Sequence, residues 1–319
     1  MLKDNNHKVI VVSGPTASGK SSLALLIAKR YGAQIVNADS MQIYKEMQIG
    51  TAKPGEYDKK QIKHHLFDII SVTDQYSAAQ YVKQASACID NLISKNIPVL
   101  LVGGTGLYID SLLYNYNFKQ IDIDLKYRNY LYEMAEVNGH KAVYDLLKQT
   151  DPIAAQRLYP NDLKRVIRAL EVFKATGSSI TSQQAKSTTP KYNSIFIGID
   201  YRKREKLYSR INARVDQMIC DGLIDEANQL LQSKIVLSQT AKVAIGYSEM
   251  FEYLNGQISL DKAVEQIKQR TRNYAKRQLT WFRKNKNINW YFPDDYKNTN
   301  ELFLSICKML DNYFEVLEK

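Results

Sequence analysis

Eight residues near the start, Gly14-Pro15-Thr16-Ala17-Ser18-Gly19-Lys20-Ser21, fit the pattern G-x-x-x-x-G-K-[ST]. This pattern constrains the fold because it works only at the turn between a strand and a helix. The glycines let successive backbone amides turn inward and cradle phosphate oxygens. The helix that follows points its positive end at the anion. Lys20 adds a point charge, and the Ser21 hydroxyl is placed to hold Mg²⁺. The flanks agree: residues 8–13, KVIVVS, are a short β-branched run, and residues 21–31, SSLALLIAKRY, carry Leu23, Leu26, Ile27 and Arg30 at helical spacing. Strand, glycine loop and helix open an α/β unit.

Further strands are predicted at 34–38 (QIVNA) and 194–200 (SIFIGID), and an amphipathic helix at 76–95. Residues 97–102, IPVLLV, are apolar on both faces, as buried strands of a parallel sheet are, and run into Gly103-Gly104. The expected fold is α/β, with a P-loop-type parallel sheet core flanked by helices. From about 116 the strand signal stops. Helices are predicted at 122–138, 139–148, 151–159 and 161–176, followed by the polar stretch TGSSITSQQAKSTTP. The expected organisation is an all-helical insertion domain at 116–192 within a core made of 1–115 and 193–319, and 319 residues suffice for both.

Lys and Arg number 44 against 33 Asp and Glu, a formal charge of +11, which favours a polyanionic partner. The basic excess is densest at 268–286, KQRTRNYAKRQLTWFRKNK, with eight basic residues, no acidic one, and Tyr274, Trp281 and Phe282 interleaved. An RNA-facing role is expected there, with Trp281 equally suited to anchoring the helix in the core. Cys88, Cys220 and Cys307 lie too far apart for a metal motif or a disulfide framework, so free thiols are expected. No window approaches the ~18 apolar residues of a membrane-spanning helix, and the N-terminal apolar run is too short for a secretory signal. A cytoplasmic protein without membrane contact, acting as a monomer, is the expectation.

The loop does not name a reaction. A P-loop NTPase would offer an apolar strand ending in Asp for the metal. Here VLLV ends in Gly103-Gly104-Thr105-Gly106, while the shorter strand at 35–38 ends in Asp39. Asp39 is therefore a candidate metal ligand or base, or a simple strand-end cap. Adjacent His64 and His65 lack the further ligands that zinc would need.

GPTASGKS, NADSMQIYKEMQIGTAKP at 37–54, HHLFDI at 64–69 and PVLLVGGTGLYIDSLL at 98–113 together resemble the bacterial tRNA dimethylallyltransferases. DPIAAQRLYPNDLKRVIRALEVFKATG at 151–177, RINARVDQMI at 210–219, AIGYSEMFEYLNG at 244–256 and RTRNYAKRQLTWFRK at 270–284 continue the likeness, in the same order. Ser21 stands where many members carry Thr, which the motif allows. The resemblance implies transfer of a dimethylallyl group from dimethylallyl diphosphate to the adenosine immediately 3′ of the anticodon, releasing diphosphate. It further implies Mg²⁺ held at Ser21, a phosphate loop that binds the leaving diphosphate rather than a nucleotide, and a helical insertion that grips the anticodon stem-loop.

Residue by residue, the resemblance makes Asp39 the base for the adenine amine, with Ser21 and Arg214 acting on the diphosphate. It assigns tRNA contact to Asp39, Ser40, Met41 and Gln42, to Thr105 and to Arg128. It gives His64 and His65 a structural or donor-pocket role and leaves RNA contact open at Lys53. The basic KRVIR cluster, Lys164, Arg165, Val166, Ile167 and Arg168, is a further candidate for tRNA contact, with Lys164 and Arg168 on one helical face. Alternatives are a prenyltransferase acting on free adenine nucleotides, a small-molecule or nucleoside kinase, and a non-catalytic RNA-binding module.

Overall fold

The computed structural model describes residues 9–116, 124–183, 189–233 and 235–316. Lys8, positions 122 and 123 of the first expected insertion helix, and 184–188 of the expected polar loop lie outside the described residues. The strands are β1 (Val9–Ser13), β2 (Gln34–Asn37), β3 (His64–His65), β4 (Val99–Gly103), β5 (Ser194–Ile199) and β6 (Ile288–Tyr291). They form one sheet in the order β3-β2-β4-β1-β5-β6 with every pairing parallel. Parallel strands need crossover connections, so helices cover the faces and the central strands are buried on both sides. All five residues of β1 and of β4 are buried accordingly.

Helices α1 (Lys20–Tyr31), α2 (Glu56–Gln61), α3 (Ala78–Ser94) and α4 (Gly106–Leu113) connect the first strands. Gly19 and Gly32, at φ 91° and 62°, begin and end α1, supplying left-handed backbone where a side chain would strain. The insertion contains α5 (Leu125–Thr150), α6 (Pro152–Ala155), α7 (Leu163–Thr176) and α8 (Ile180–Gln183). After β5 come α9 (Arg204–Cys220), α10 (Leu223–Gln232), α11 (Gln239–Lys242), α12 (Tyr247–Leu254), α13 (Leu260–Phe282) and, past β6, α14 (Thr299–Val316).

The chain divides into two compact units, Tyr114–Pro190 and the remainder on either side of it. In the larger unit, Ile10, Val12, Leu23, Ile27, Leu100 and Ile197 form a core with Ile306 and Leu310 of α14. A second core beneath α10, α12 and α13 gathers Ile43, Tyr44, Met47, Leu223, Tyr247 and Ile267. In Tyr114–Pro190, Leu131, Ala135, Val143 and Leu147 of α5 pack on Val166, Ile167 and Leu170 of α7.

The span α5 is two helices joined across a kink at Gly139 (φ 80°, ψ 162°), the point where the sequence reading divides it. Two local features depart from that reading. The helix expected at 151–159 is only Pro152–Ala155. β6 is a four-residue edge strand in a segment read as helical, too short and too polar in its flanks to signal itself.

Candidate active site

In an open parallel sheet the ligand crevice lies beyond the carboxyl ends of the strands. β1 ends in the 14–21 loop, β2 in Asp39, and β4, which lies between them, in Gly103-Gly104-Thr105-Gly106. Three segments distant in sequence therefore meet at one edge.

The loop keeps unusual backbone at Gly14 (φ 151°), Ala17 (φ 62°) and Gly19 (φ 91°). A Cβ at Gly14 would lie 2.4 Å from the Ile199 carbonyl oxygen, so only glycine fits. Lys20 is 8% exposed, and its Nζ donates to the Pro15 carbonyl at 3.2 Å. Burial pushes its ammonium down to about 8; Asp39 works against that shift and Arg214 adds to it. Burial likewise lowers the Arg214 guanidinium, with Asp39 opposing. Two desolvated cations on one cavity wall favour an anionic ligand.

Asp39 is fixed by its neighbours. Asn37 Oδ1 accepts from the Asp39 amide at 2.8 Å, and Asn37 Nδ2 donates to the Asp39 carbonyl at 3.0 Å. One carboxylate oxygen accepts from the Met41 amide at 3.0 Å. Thr105 Oγ1 accepts from the Ser40 amide at 2.9 Å, joining the β2 and β4 loops. Gln42 Nε2 donates to the Thr51 and Ala52 carbonyls at 2.9 and 3.2 Å.

Two cavities meet here. The larger, of about 390 Å³, is lined by Ser40, Met41, Gly50 and Thr51 and by Tyr274 and Arg277 of α13. The smaller, of about 150 Å³, is lined by Lys20, Ser21, Gln42, Lys53 and His64, with apolar Leu25, Ile35, Phe67 and Val102. Thr16, Asp39 and Arg214 line both. Among the described residues no group of three or more His, Cys, Asp or Glu side chains could hold a metal ion. The Ser21 hydroxyl and the Asp39 carboxylate nevertheless line the same smaller cavity. That donor set suits Mg²⁺, which takes one or two protein oxygens and completes its shell with water and phosphate. His64 Nδ1 lies 2.7 Å from the Ile62 carbonyl and His65 Nε2 lies 2.7 Å from Gln34 Oε1. Burial lowers both imidazoles, which are therefore neutral near pH 7.

Gln278 is a site residue that the sequence reading missed. It is 4% exposed; its Oε1 accepts from the Thr16 amide at 2.9 Å and its Nε2 donates to the Gly104 carbonyl at 2.9 Å. One carboxamide thus joins the phosphate loop to the β4 loop. A Cβ at Gly104 would meet Gln278 at 2.1 Å, and one at Gly106 would meet Trp281 at 2.2 Å, so α13 packs directly on this glycine backbone. Burial and Asp39 hold the Tyr274 phenol well above its ordinary range, while its bonds to Thr105 and Gln278 act in the opposite sense. A polar signal for Gln278 was available: it stands on the buried face of α13 between Ala275 and Phe282.

Several expectations are corrected. Val166 and Ile167 are 0% and 2% exposed in the α5–α7 core, so their side chains do not reach an RNA surface. Their neighbours Lys164 and Arg165 are exposed. Arg165 pairs with Asp162 at 3.0 Å, and Arg168 lies 3.4 Å from Glu171. Arg128 is engaged within its own unit, its Nε and one terminal nitrogen meeting Glu171 at 2.6 and 2.8 Å. The basic run of 268–286 lacks acids in sequence but not in space. Lys268 pairs with Asp216 at 2.6 Å, Arg270 with Glu249, Arg272 with Glu265 at 2.9 Å, and Arg283 with Asp200 at 3.0 Å. Arg277 lines the larger cavity, as Arg270 also does. Trp281 anchors its helix, donating to Asp110 at 2.9 Å.

The fold and this site define a phosphate-loop α/β protein whose cradle opens beside a second, larger cavity. A family model described as IPP transferase matches residues 42–285. The chain is 44% identical over 306 residues to the tRNA dimethylallyltransferase of Caldanaerobacter subterraneus, covering 95% of this chain and 97% of that one. Among solved structures it is similar to the full-length tRNA isopentenylpyrophosphate transferase of Bacillus halodurans, with TM-score 0.73, 37% identity and 98% of both chains covered. It is also similar to a eukaryotic dimethylallyltransferase described as acting on tRNA, with TM-score 0.76, 28% identity, and 90% of this chain and 74% of that one covered. The chain belongs to the IPP transferase family. No helix among the described residues is long and apolar enough to cross a membrane.

Proposed function

We propose that this protein is a tRNA dimethylallyltransferase: it moves the five-carbon group of dimethylallyl diphosphate onto the exocyclic amine of the adenosine 3′-adjacent to the anticodon. The observation that carries the reading is the junction of two cavities at Thr16, Asp39 and Arg214. One cavity has the lining of a diphosphate site; the other has room for an extruded base. The relatives' names agree with the reaction.

In the transfer, a bond forms between the adenine amine and the allylic carbon while the carbon–oxygen bond to diphosphate breaks. The amine proton goes to Asp39, because an aromatic amine is a poor nucleophile until a carboxylate accepts its proton. Negative charge gathers on the leaving oxygen, and Lys20, the loop amides and Arg214 stabilise it. Mg²⁺ at Ser21 would neutralise part of the diphosphate charge. The target base leaves its stack to reach Asp39, an extrusion cheaper from a loop than from a duplex. Lys164 and Arg165, exposed on α7, are the insertion's candidates for gripping RNA phosphates. The expected state is a monomer.

The test is mass spectrometry of tRNA, free AMP and ATP, each incubated with enzyme, dimethylallyl diphosphate and Mg²⁺. A prenylated adenosine in tRNA supports the proposal. Prenylated AMP with unmodified tRNA, or ATP consumed to give a phosphorylated product, overturns it.

A further inference from the structure

The loop after β2 forms a wall of every cavity at the site. Gly50 and Thr51 line the larger, Ala52, Lys53 and Pro54 the smaller, and Gln48, Ile49 and Ala52 a third opening of about 700 Å³ beside Lys20 and Arg214. The loop folds back on itself through Ala52 N–H to Ile49 O at 2.9 Å and Lys53 N–H to Gln48 O at 3.2 Å. Its reversal holds Ala52 at φ 48°, a left-handed backbone that a non-glycine residue adopts only when its surroundings enforce it.

Gln42 holds the Thr51 and Ala52 carbonyls from nearby, and a second brace comes from a remote helix. The Glu226 carboxylate, on the first turn of α10, accepts from three successive amides of the loop: Gln48 at 2.8 Å, Ile49 at 3.0 and 3.1 Å, and Gly50 at 3.2 Å. The Tyr247 hydroxyl, at the start of α12, donates to the same carboxylate at 2.5 Å. The Tyr247 ring lies flush against Gly50, where a Cβ would fall 2.5 Å from a ring carbon. Consecutive amides converging on one anion make a concave nest, and bonds to an ionised acceptor are stronger than neutral ones. Glu226 itself lines none of the three cavities.

We infer that Glu226 is a positioning residue for the transfer reaction: through the amides of 48–50, and braced by Tyr247, it fixes the 48–54 loop against both substrate cavities. The inference rests on the transferase reading for its substrates. Lys53 depends on the same latch. It pairs with Asp68 from inside the loop and reaches the smaller cavity beside Lys20 and Ser21.

The experiment compares wild type with Glu226→Gln, Tyr247→Phe and, as a charge-matched control, Asp225→Asn from the same helical turn. Four quantities are read: amide exchange of the segment containing 48–50, calorimetric affinity for inorganic diphosphate with Mg²⁺, tRNA affinity by filter binding, and kcat and KM for dimethylallyl diphosphate. Glu226→Gln turns an amide donor toward the loop's own donors. It should speed exchange at 48–50, weaken diphosphate binding, and lower kcat/KM for the donor by about 10- to 100-fold, the scale of a displacement near 1 Å. Tyr247→Phe keeps the three amide bonds and should lie between Glu226→Gln and wild type; Asp225→Asn should match wild type. Unchanged tRNA affinity would separate this defect from general unfolding. Rapid exchange at 48–50 with wild-type diphosphate affinity and donor kinetics would overturn the inference, as would unaltered exchange in Glu226→Gln. If the wild type itself transfers no prenyl group, the transferase reading fails, while exchange and diphosphate affinity still decide the latch.

Discussion

The phosphate loop and α13 meet at Gln278, yet they build the site by opposite means. The loop acts through backbone amides within one short stretch, 14–21, and needs side chains only at Lys20 and Ser21. α13 acts through side chains, with Tyr274 and Arg277 facing the cavity and Gln278 and Trp281 gripping glycine backbone from far away in sequence. A backbone site tolerates many side chains but few changes of conformation. A side-chain site fails when one group is removed. Variants on each side should therefore fail differently.

The largest effect is expected where the two cavities join. Asp39→Ala should lower the single-turnover transfer rate by about 10²–10⁴-fold, the range for loss of a general base, while tRNA binding changes little; rapid quench with filter binding checks this. On the loop side, Lys20→Ala should cost about 10²–10³-fold in kcat, as loss of one preorganised charge on a leaving group does. The sign of its pH dependence follows from burial. The free enzyme's ammonium titrates near 8, so protons leave Lys20 above that pH and diphosphate affinity should fall. Bound diphosphate favours the charged form and moves the titration upward. Calorimetry from pH 7 to 9.5 should show the bend in wild type and none in Lys20→Arg, whose guanidinium stays charged.

On the α13 side, Gln278→Ala strands the Thr16 amide and the Gly104 carbonyl. It should cost about 1–3 kcal/mol of stability in urea unfolding and raise the donor KM, because the loop loses its brace; a stability loss with an unchanged KM would separate the two regions after all. The smallest effect concerns charge. Arg277→Ala should reduce the slope of log tRNA affinity against log salt by roughly 0.7–0.9, the value of one phosphate contact. Arg270→Ala should leave that slope alone and lower stability, since Glu249, 1% exposed, loses its partner. Parallel salt titrations read both.

The same contrast explains what could be read from the sequence. The 14–21 loop was legible because its function is local: one stretch, one turn, one helix. Asp39 was legible as the end of a strand beside that loop. Gln278 and Glu226 were harder to read, because each acts on backbone more than a hundred residues away; Gln278 showed only as a polar residue on the buried face of α13, and nothing local distinguishes the Glu226 carboxylate from a solvated one. The KRVIR reading erred at Val166 and Ile167 for a different reason. It treated adjacent residues as one patch, although Leu163, Val166, Ile167 and Leu170 follow the helical period and turn Val166 and Ile167 inward. The charge run of α13 erred in the same way, since its compensating acids, Asp216, Glu249 and Asp200, come from other segments.

The central claim is that the loop receives a departing diphosphate while the joined cavity presents the acceptor. Its most direct test is stoichiometric: with dimethylallyl diphosphate and tRNA, diphosphate released and prenylated adenosine formed are counted in the same reaction. The account predicts that the two rise together in equal amounts, that both slow alike in Asp39→Ala, and that ATP is not consumed. Diphosphate released without prenylated adenosine, or tRNA-stimulated ATP hydrolysis in its place, would contradict it.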